Sequence, residues 1–256
     1  MKRRKFWILP ALLIFLTGLF SFCYPYLHRA AVDVRMKSAV QSYLEAMPES
    51  REPVTPAESF PNENPLRPTE FVPGQYPELW RAMQAYNRKL WEEKQAGFNS
   101  AESYEIPAFD LTDYGFPDDT FGIITIPKMD LQMPLYLGAT YQHMADGAAQ
   151  MSQTSLPIGG INTNCVIAGH RGWNGAPYFR EILDLEPGDE VIIRNPWQTL
   201  RYRVSGIQII APNEPEALHI RDGRDLVTIL TCHPYASGGK QRYLVFCDRV
   251  LEEKGK

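Results

Sequence analysis

The chain has few cysteines and, beyond its first five residues, no clustered charge of one sign. Its 256 residues hold four cysteines, Cys23, Cys165, Cys232 and Cys247, and no CxxC pair. Structural thiolate sites rely on such pairs, so no metal and no other cofactor is expected. The formal net charge is −4 and the basic residues are scattered. Nucleic acid is excluded as a partner on that ground, because phosphate binding needs a clustered basic face. No internal repeat occurs. Nor does a small-x-small cleavage site follow the apolar N-terminal run, where Tyr24, Tyr26 and His28 crowd the relevant positions. A cleaved signal peptide is therefore the weaker reading of that run.

What the N-terminus does have is MKRRK followed by an uncharged stretch from Phe6 to Leu27. About 20 apolar residues in a helix cross the hydrocarbon core of a bilayer. Lys2, Arg3, Arg4 and Lys5 favour a cytoplasmic N-terminus. The expectation is a single-pass anchor whose partner is the lipid bilayer along Phe6–Leu27. Trp7, Tyr24 and Tyr26 stand at its two interfaces, and the remaining chain lies outside the cell membrane.

Four regions follow from the texture of the sequence. Residues 1–27 form a basic tail and transmembrane anchor, and 28–47 a juxtamembrane helix. Residues 48–118 hold a proline-rich linker, a helix and a candidate lid, and 119–256 a catalytic domain. Within the third region, Pro77 to Gln95 has apolar residues at helical spacing (Leu79, Trp80, Met83, Tyr86, Leu90, Trp91), with Pro77 at its start and Gly97 closing it. From Phe121 onwards the pattern changes to short β runs, with breaks expected at Pro127 and Pro134. NCVIAGHR reads as a strand ending at His170. A hairpin turns at Asn195-Pro196, and the runs DLVTILTC and QRYLVFCDRVL follow. Many short strands without crossover helices predict a mainly β fold, a closed antiparallel or mixed barrel.

Cys232 ends one apolar run in TILTCHPY. A buried cysteine is commonly a small hydrophobe. A nucleophilic one needs access to substrate, a base or acid, and a donor for the developing oxyanion. His170 ends another strand, between glycines in AGHRG, and Arg242 begins the last strand, ten residues after Cys232. In a barrel, strand ends that are distant in sequence meet at one rim, so these three form a candidate site. Cys165 and Cys247 lie within strands and read as core residues, and spacing leaves open whether they form a disulfide. His143 and His219 show no partner pattern; His233, beside Cys232, is a second-rank candidate.

Residues 119–251 resemble the catalytic domain of sortases, the membrane-anchored cysteine transpeptidases of Gram-positive bacteria. The resemblance is carried by GIITIPKMDLQMPLYLG, SLPIGGINTNCVIAGHRG, VTILTC and QRYLVF, in that order and spacing. TCHPY and the long preceding segment look most like class C, the pilin-polymerising group. The resemblance implies an eight-stranded sortase barrel. It implies that Cys232 attacks an LPXTG-like sorting signal between Thr and Gly, forming a thioester. His170 then protonates the leaving amine, and Arg242 binds the oxyanion, with support from Thr231 and His233. The implied acceptor is a pilin lysine or a peptidoglycan amine. A sortase of class B or of the housekeeping type, anchoring proteins to the cell wall, is the alternative; a tethered module without turnover is a third.

Class C enzymes usually carry a lid with an Asp-Pro-aromatic anchor. SYEIPAFDLTDYGFPDD has no such triplet, so the candidate lid residues are Phe109, Asp110, Asp113, Tyr114 and Phe116. Two further departures from class C are the glycine-rich loop ASGGKQ after Cys232 and an ending, LEEKGK, without a second membrane helix.

Overall fold

The computed structural model describes residues 3–47, 74–99, 105–172, 176 and 178–250; the side chains of 3–8 and 99 are not among them. The proline-rich linker and the interface role of Trp7 thus lie outside what is described. Eight strands close into a barrel: β1 (Thr120–Ile126), β2 (Leu131–Leu137), β3 (Ala148–Gln150), β4 (Thr163–Ala168), β5 (Glu190–Arg194), β6 (Thr199–Ile210), β7 (Asp225–His233) and β8 (Gln241–Arg249). Their order around the barrel is β1-β2-β3-β4-β7-β8-β6-β5. The pairs β2–β3 and β4–β7 are parallel and the others antiparallel, so the barrel is mixed.

Side chains along each strand alternate between the two faces. Cys165 and Ile167 of β4, Val227 and Ile229 of β7, and Tyr243, Val245 and Cys247 of β8 fill the interior. The alternate residues Val166, Ala168, Leu230, Leu244 and Phe246 point outward. They are covered by the segment between β6 and β7 through Leu218 and Ala217, and by Phe98. Buried Asn164 pins that segment: its amide donates to the carbonyls of Leu218 (2.9 Å) and His219 (3.3 Å). Cys165 and Cys247 are free thiols. Both pair in register with Val227, one on each side of β7. Two strand spacings, about 9–10 Å, separate them, too far for a disulfide. Burial pushes both thiols well above the ordinary cysteine range, which makes them inert core groups.

Among the described residues three α-helices accompany the barrel: α1 (Arg3–Ala46), α2 (Pro77–Glu92) and α3 (Tyr141–Asp146). α1 is one continuous helix that runs from the apolar segment through the juxtamembrane residues 28–46. It includes a stretch long and apolar enough to cross a membrane. Its later turns pack on the barrel through Val32, Val40, Tyr43 and Met47. α2 docks by Leu79, Trp80, Met83, Asn87 and Leu90. Trp80 meets Trp197 edge-on, with ring centroids 4.8 Å apart, a contact contributing about 1 kcal/mol beyond its buried area.

Three local expectations fail. α2 ends at Glu92, not Gln95, and Gly97 is not its stop: Lys94 and Gln95 take left-handed conformations (φ 50° and 51°). The buried Gln95 amide offsets that strain by donating to the Gln153 carbonyl (3.0 Å) and accepting from Ile220 N–H (2.6 Å). Pro134 does not break its strand; β2 runs through it, paired with Ile123. Pairing to β3 begins only at Leu135, and a strand tolerates proline where the missing N–H faces no ladder. α3 and β3 were not expected. α3 has a Thr140 N-cap accepting from His143 N–H (3.1 Å), a signal visible in principle.

Candidate active site

Cys232 and Arg242 face each other directly across the β7–β8 ladder. Opposed residues of an antiparallel pair project to the same face, here the outer face shared with Leu230 and Leu244. The loop between them folds back over this pair. Gly239, at φ 76°, comes so near that a Cβ there would lie 3.1 Å from Arg242 Nη1 and 3.5 Å from Cys232 Sγ. One added methyl group would touch both functional groups, so sulfur and guanidinium share one pocket. Arg242 Nη1 donates to the carbonyls of Gly239 (2.7 Å) and Gln241 (3.2 Å). This fixes the planar fork and leaves its other N–H groups for an acceptor in the groove. Cys232 is solvent-exposed.

His170 arrives from β4. The parallel register matches Ala168 with Leu230. It continues past the strand end: Gly169 N–H donates to the Leu230 carbonyl (3.1 Å), and Thr231 Oγ1 donates to the Gly169 carbonyl (2.7 Å). Carried one residue further, the register sets His170 beside Cys232 on the outer face. The edge of the Tyr178 ring supports the imidazole in a T-shaped contact at 5.7 Å, and Phe179 N–H donates to the His170 carbonyl (2.9 Å). Partial burial holds the imidazole pKa below the ordinary histidine value, favouring its neutral form.

Gly169 is required here. A Cβ would sit 2.4 Å from Phe179 Cε2. Gly169→Ala is expected to destabilise the fold by about 1–3 kcal/mol and to displace His170; urea unfolding and peptide turnover measured together check this. Gly239→Ala should act differently. It adds about 1 kcal/mol of left-handed strain but crowds Cys232 and Arg242, so turnover should fall far more than stability. An unchanged turnover would contradict the shared pocket.

Two supporting residues are placed otherwise than expected. Thr231 is buried (1 % exposed) and its hydroxyl is committed to Gly169. It ties the strand bearing His170 to the strand bearing Cys232 and does not line the groove. His233 shares the inward-facing side of β7 with Thr231, because side chains alternate. Its Nδ1 lies 2.7 Å from Nη1 of buried Arg171, and its ring lies against Tyr243 (5.6 Å). Desolvation and the Arg171 charge hold its pKa down, so Nδ1 is the acceptor of the Arg171 N–H. The Arg171–His233 pair joins the residue after His170 to the residue after Cys232. Sequence reasoning missed Arg171, Tyr178 and Gly239; only the glycine had a signal, in the SGG run.

The candidate lid residues are not brought to Cys232. Phe116 is buried with α1 and α2 side chains and stacks near Tyr76 (4.4 Å). Phe109 packs between Tyr86 (5.9 Å) and Tyr114 (6.2 Å). The Asp110 carboxylate caps the 3-10 turn Leu111–Tyr114 by accepting from Thr112 N–H (2.9 Å), and Asp113 lies exposed in that turn. Among the described residues no group of histidine, cysteine, aspartate and glutamate is arranged to hold a metal ion.

The sortase-domain family model matches residues 124–250, about half of the chain and nearly all of the barrel. The chain belongs to the sortase family. It is 26% identical to sortase A of Bacillus anthracis over 172 residues, covering 66% of this chain and 79% of that protein. Among solved structures, sortase C of Clostridium perfringens SM101 superposes with a TM-score of 0.62 at 25% identity, covering 84% of this chain and 99% of that one. Sortase C1 of the group B Streptococcus pilus island 1 does so with a TM-score of 0.62 at 27% identity, covering 70% and 90%. The molecule is thus a cysteine transpeptidase of the sortase class with class C structural neighbours, and its barrel is the sortase barrel.

Proposed function

We propose that this sortase joins a protein bearing an LPXTG-like sorting signal to a pilin lysine, in pilus assembly at the outer face of the cell membrane. The observation that carries the reading is the common outer face of Cys232 and Arg242, paired across β7 and β8, with His170 following the end of the neighbouring strand β4. Cys232 passes its thiol proton to His170 and, as thiolate, attacks the carbonyl between Thr and Gly. Arg242 N–H groups stabilise the oxyanion. As the C–N bond breaks, His170 gives its proton to the departing amine, leaving a thioester on Cys232. The acceptor amine then attacks the thioester and His170 takes up its proton. An amide forms and the thiolate departs. No cofactor enters.

Anchoring is assigned to the apolar part of α1: Phe6–Leu27 spans the bilayer with the basic tail before it in the cytoplasm, and the domain from residue 119 acts outside. The pilus reading rests on the class C neighbours. A second reading, anchoring of proteins to peptidoglycan, is favoured by the match to sortase A and by the exposure of Cys232. The two separate on acceptors. Incubated with an LPXTG-type peptide, the enzyme is expected to form a conjugate with a pilin-domain lysine in preference to a peptidoglycan stem-peptide amine, as read by mass spectrometry. Preference for the stem peptide would establish the second reading; failure to cleave any LPXTG-type peptide would sink both.

A further inference from the structure

α1 does more than mark an anchor, because its contacts orient the barrel. Val32 is buried (3 % exposed) in the core cluster that fills the barrel, and α1 contacts β1, β2 and α3. Val40, Tyr43 and Met47 instead pack with Phe116, Phe121 and Trp197, and Arg194 Nη2 donates to the Met47 carbonyl (2.7 Å).

The strand registers identify which end is which. β2 matches Leu135 with Ala148 of β3, β3 matches Ala149 with Ala168, and β4 runs parallel to β7. The start of β2, at Leu131, thus lies at the same end as Gly169, His170 and Cys232. The turn after β5, near Trp197, is at the opposite end.

A chain of contacts runs directly from α1 to the catalytic imidazole. Arg35 Nη1 pairs with Asp146 Oδ1 at 3.1 Å. The adjacent Ala145 carbonyl accepts from the Tyr178 hydroxyl (2.6 Å), and the Tyr178 ring abuts His170. Arg35 stands eight residues beyond Leu27, about 12 Å along the helix axis. The catalytic end is met first on leaving the apolar span, and the far end about 18 Å later, at Met47.

Given the membrane reading above, on which this rests, we infer that the Cys232 rim is the bilayer-facing end of the barrel, held by α1 about 10–20 Å from the lipid headgroups. The partner of this rim is the lipid surface. The strand order puts β4, β7 and β8 on the side of the barrel away from α1, where it packs on β1 and β2. The groove therefore stands roughly along the membrane normal with its reacting end downwards. A reacting peptide bond must be presented close to the headgroups, whereas the groove's other end faces away from the membrane.

The test uses the full chain in liposomes, in a Cys23→Ala background. Cys165 and Cys247 are buried (3 % and 0 % exposed) and stay unlabelled. A donor dye is placed on Cys232, or on Asp222→Cys combined with Cys232→Ser. Asp222 is exposed just before β7, so the two sites lie at opposite ends of one strand of nine residues. That strand spans about 25 Å. Energy transfer to acceptor-labelled headgroups should be at least about twofold greater from Cys232 than from position 222. Equal transfer, or the reverse order, in protein that floats with the liposomes overturns the orientation alone. Protein that does not float overturns the membrane reading and the orientation with it. Inserting a Gly-Ser segment between Leu27 and Arg29 should abolish the difference while flotation persists; a difference that survives would show that α1 is not what sets it.

Discussion

Replacing Cys232 by alanine is expected to abolish thioester capture of an LPXTG-type peptide and to lower turnover by at least about 10⁴-fold, the scale on which loss of a nucleophile acts. Cys165→Ala and Cys247→Ala should leave the chemistry intact. The physical distinction is the face each sulfur occupies. Cys232 is exposed at the outer end of β7, next to Arg242. The other two lie inside the barrel, where burial keeps them as neutral thiols. Their removal costs packing, on the order of 1–2 kcal/mol, and no reactivity. Intact-mass detection of the acyl-enzyme separates the variants. An acyl-enzyme on the Cys232→Ala protein would end the assignment of this nucleophile.

Arg242→Ala is expected to cost about 10²–10³-fold in kcat with a smaller change in KM, as removal of an oxyanion donor does. Arg242→Lys should recover little. The guanidinium is held by two backbone carbonyls through one nitrogen, at 2.7 and 3.2 Å, while the remaining N–H groups stay free in the groove. An ammonium can satisfy those carbonyls or reach the substrate, but it lacks the rigid fork that does both. Steady-state kinetics of the two variants, with folding checked by urea unfolding, decides the matter. Full activity of the lysine variant would mean that charge alone suffices and that the geometry at Gly239 is incidental.

Much of this site was legible in order and spacing. A histidine, a cysteine and an arginine at three strand ends are visible in AGHRG, ILTCH and KQRYL because each apolar run stops where a polar group begins. Their common side follows from strand parity, but parity is useful only once the partners are known. The β4–β7 pairing joins segments about sixty residues apart, and no local pattern announces a parallel neighbour. The same limit explains Thr231 and His233. Adjacent to the nucleophile in sequence, they look like site residues, yet alternation turns both to the opposite side, where they tie loops together. The lid candidates Phe109, Tyr114 and Phe116 pack with side chains of α1 and α2, a placement that no local sequence pattern announces.

By itself, the sequence determined the apolar N-terminal segment, the barrel class and the three residue types the chemistry needs, because these rest on local periodicity, charge and composition. Tertiary structure alone decided that Cys232 meets Arg242 across a loop pinched at Gly239, that Cys165 and Cys247 stay apart, and that Arg35 of α1 is linked through Asp146, Ala145 and Tyr178 to His170. Each of those outcomes depends on which strands become neighbours and in what register, a choice made by closure of the whole barrel around its core.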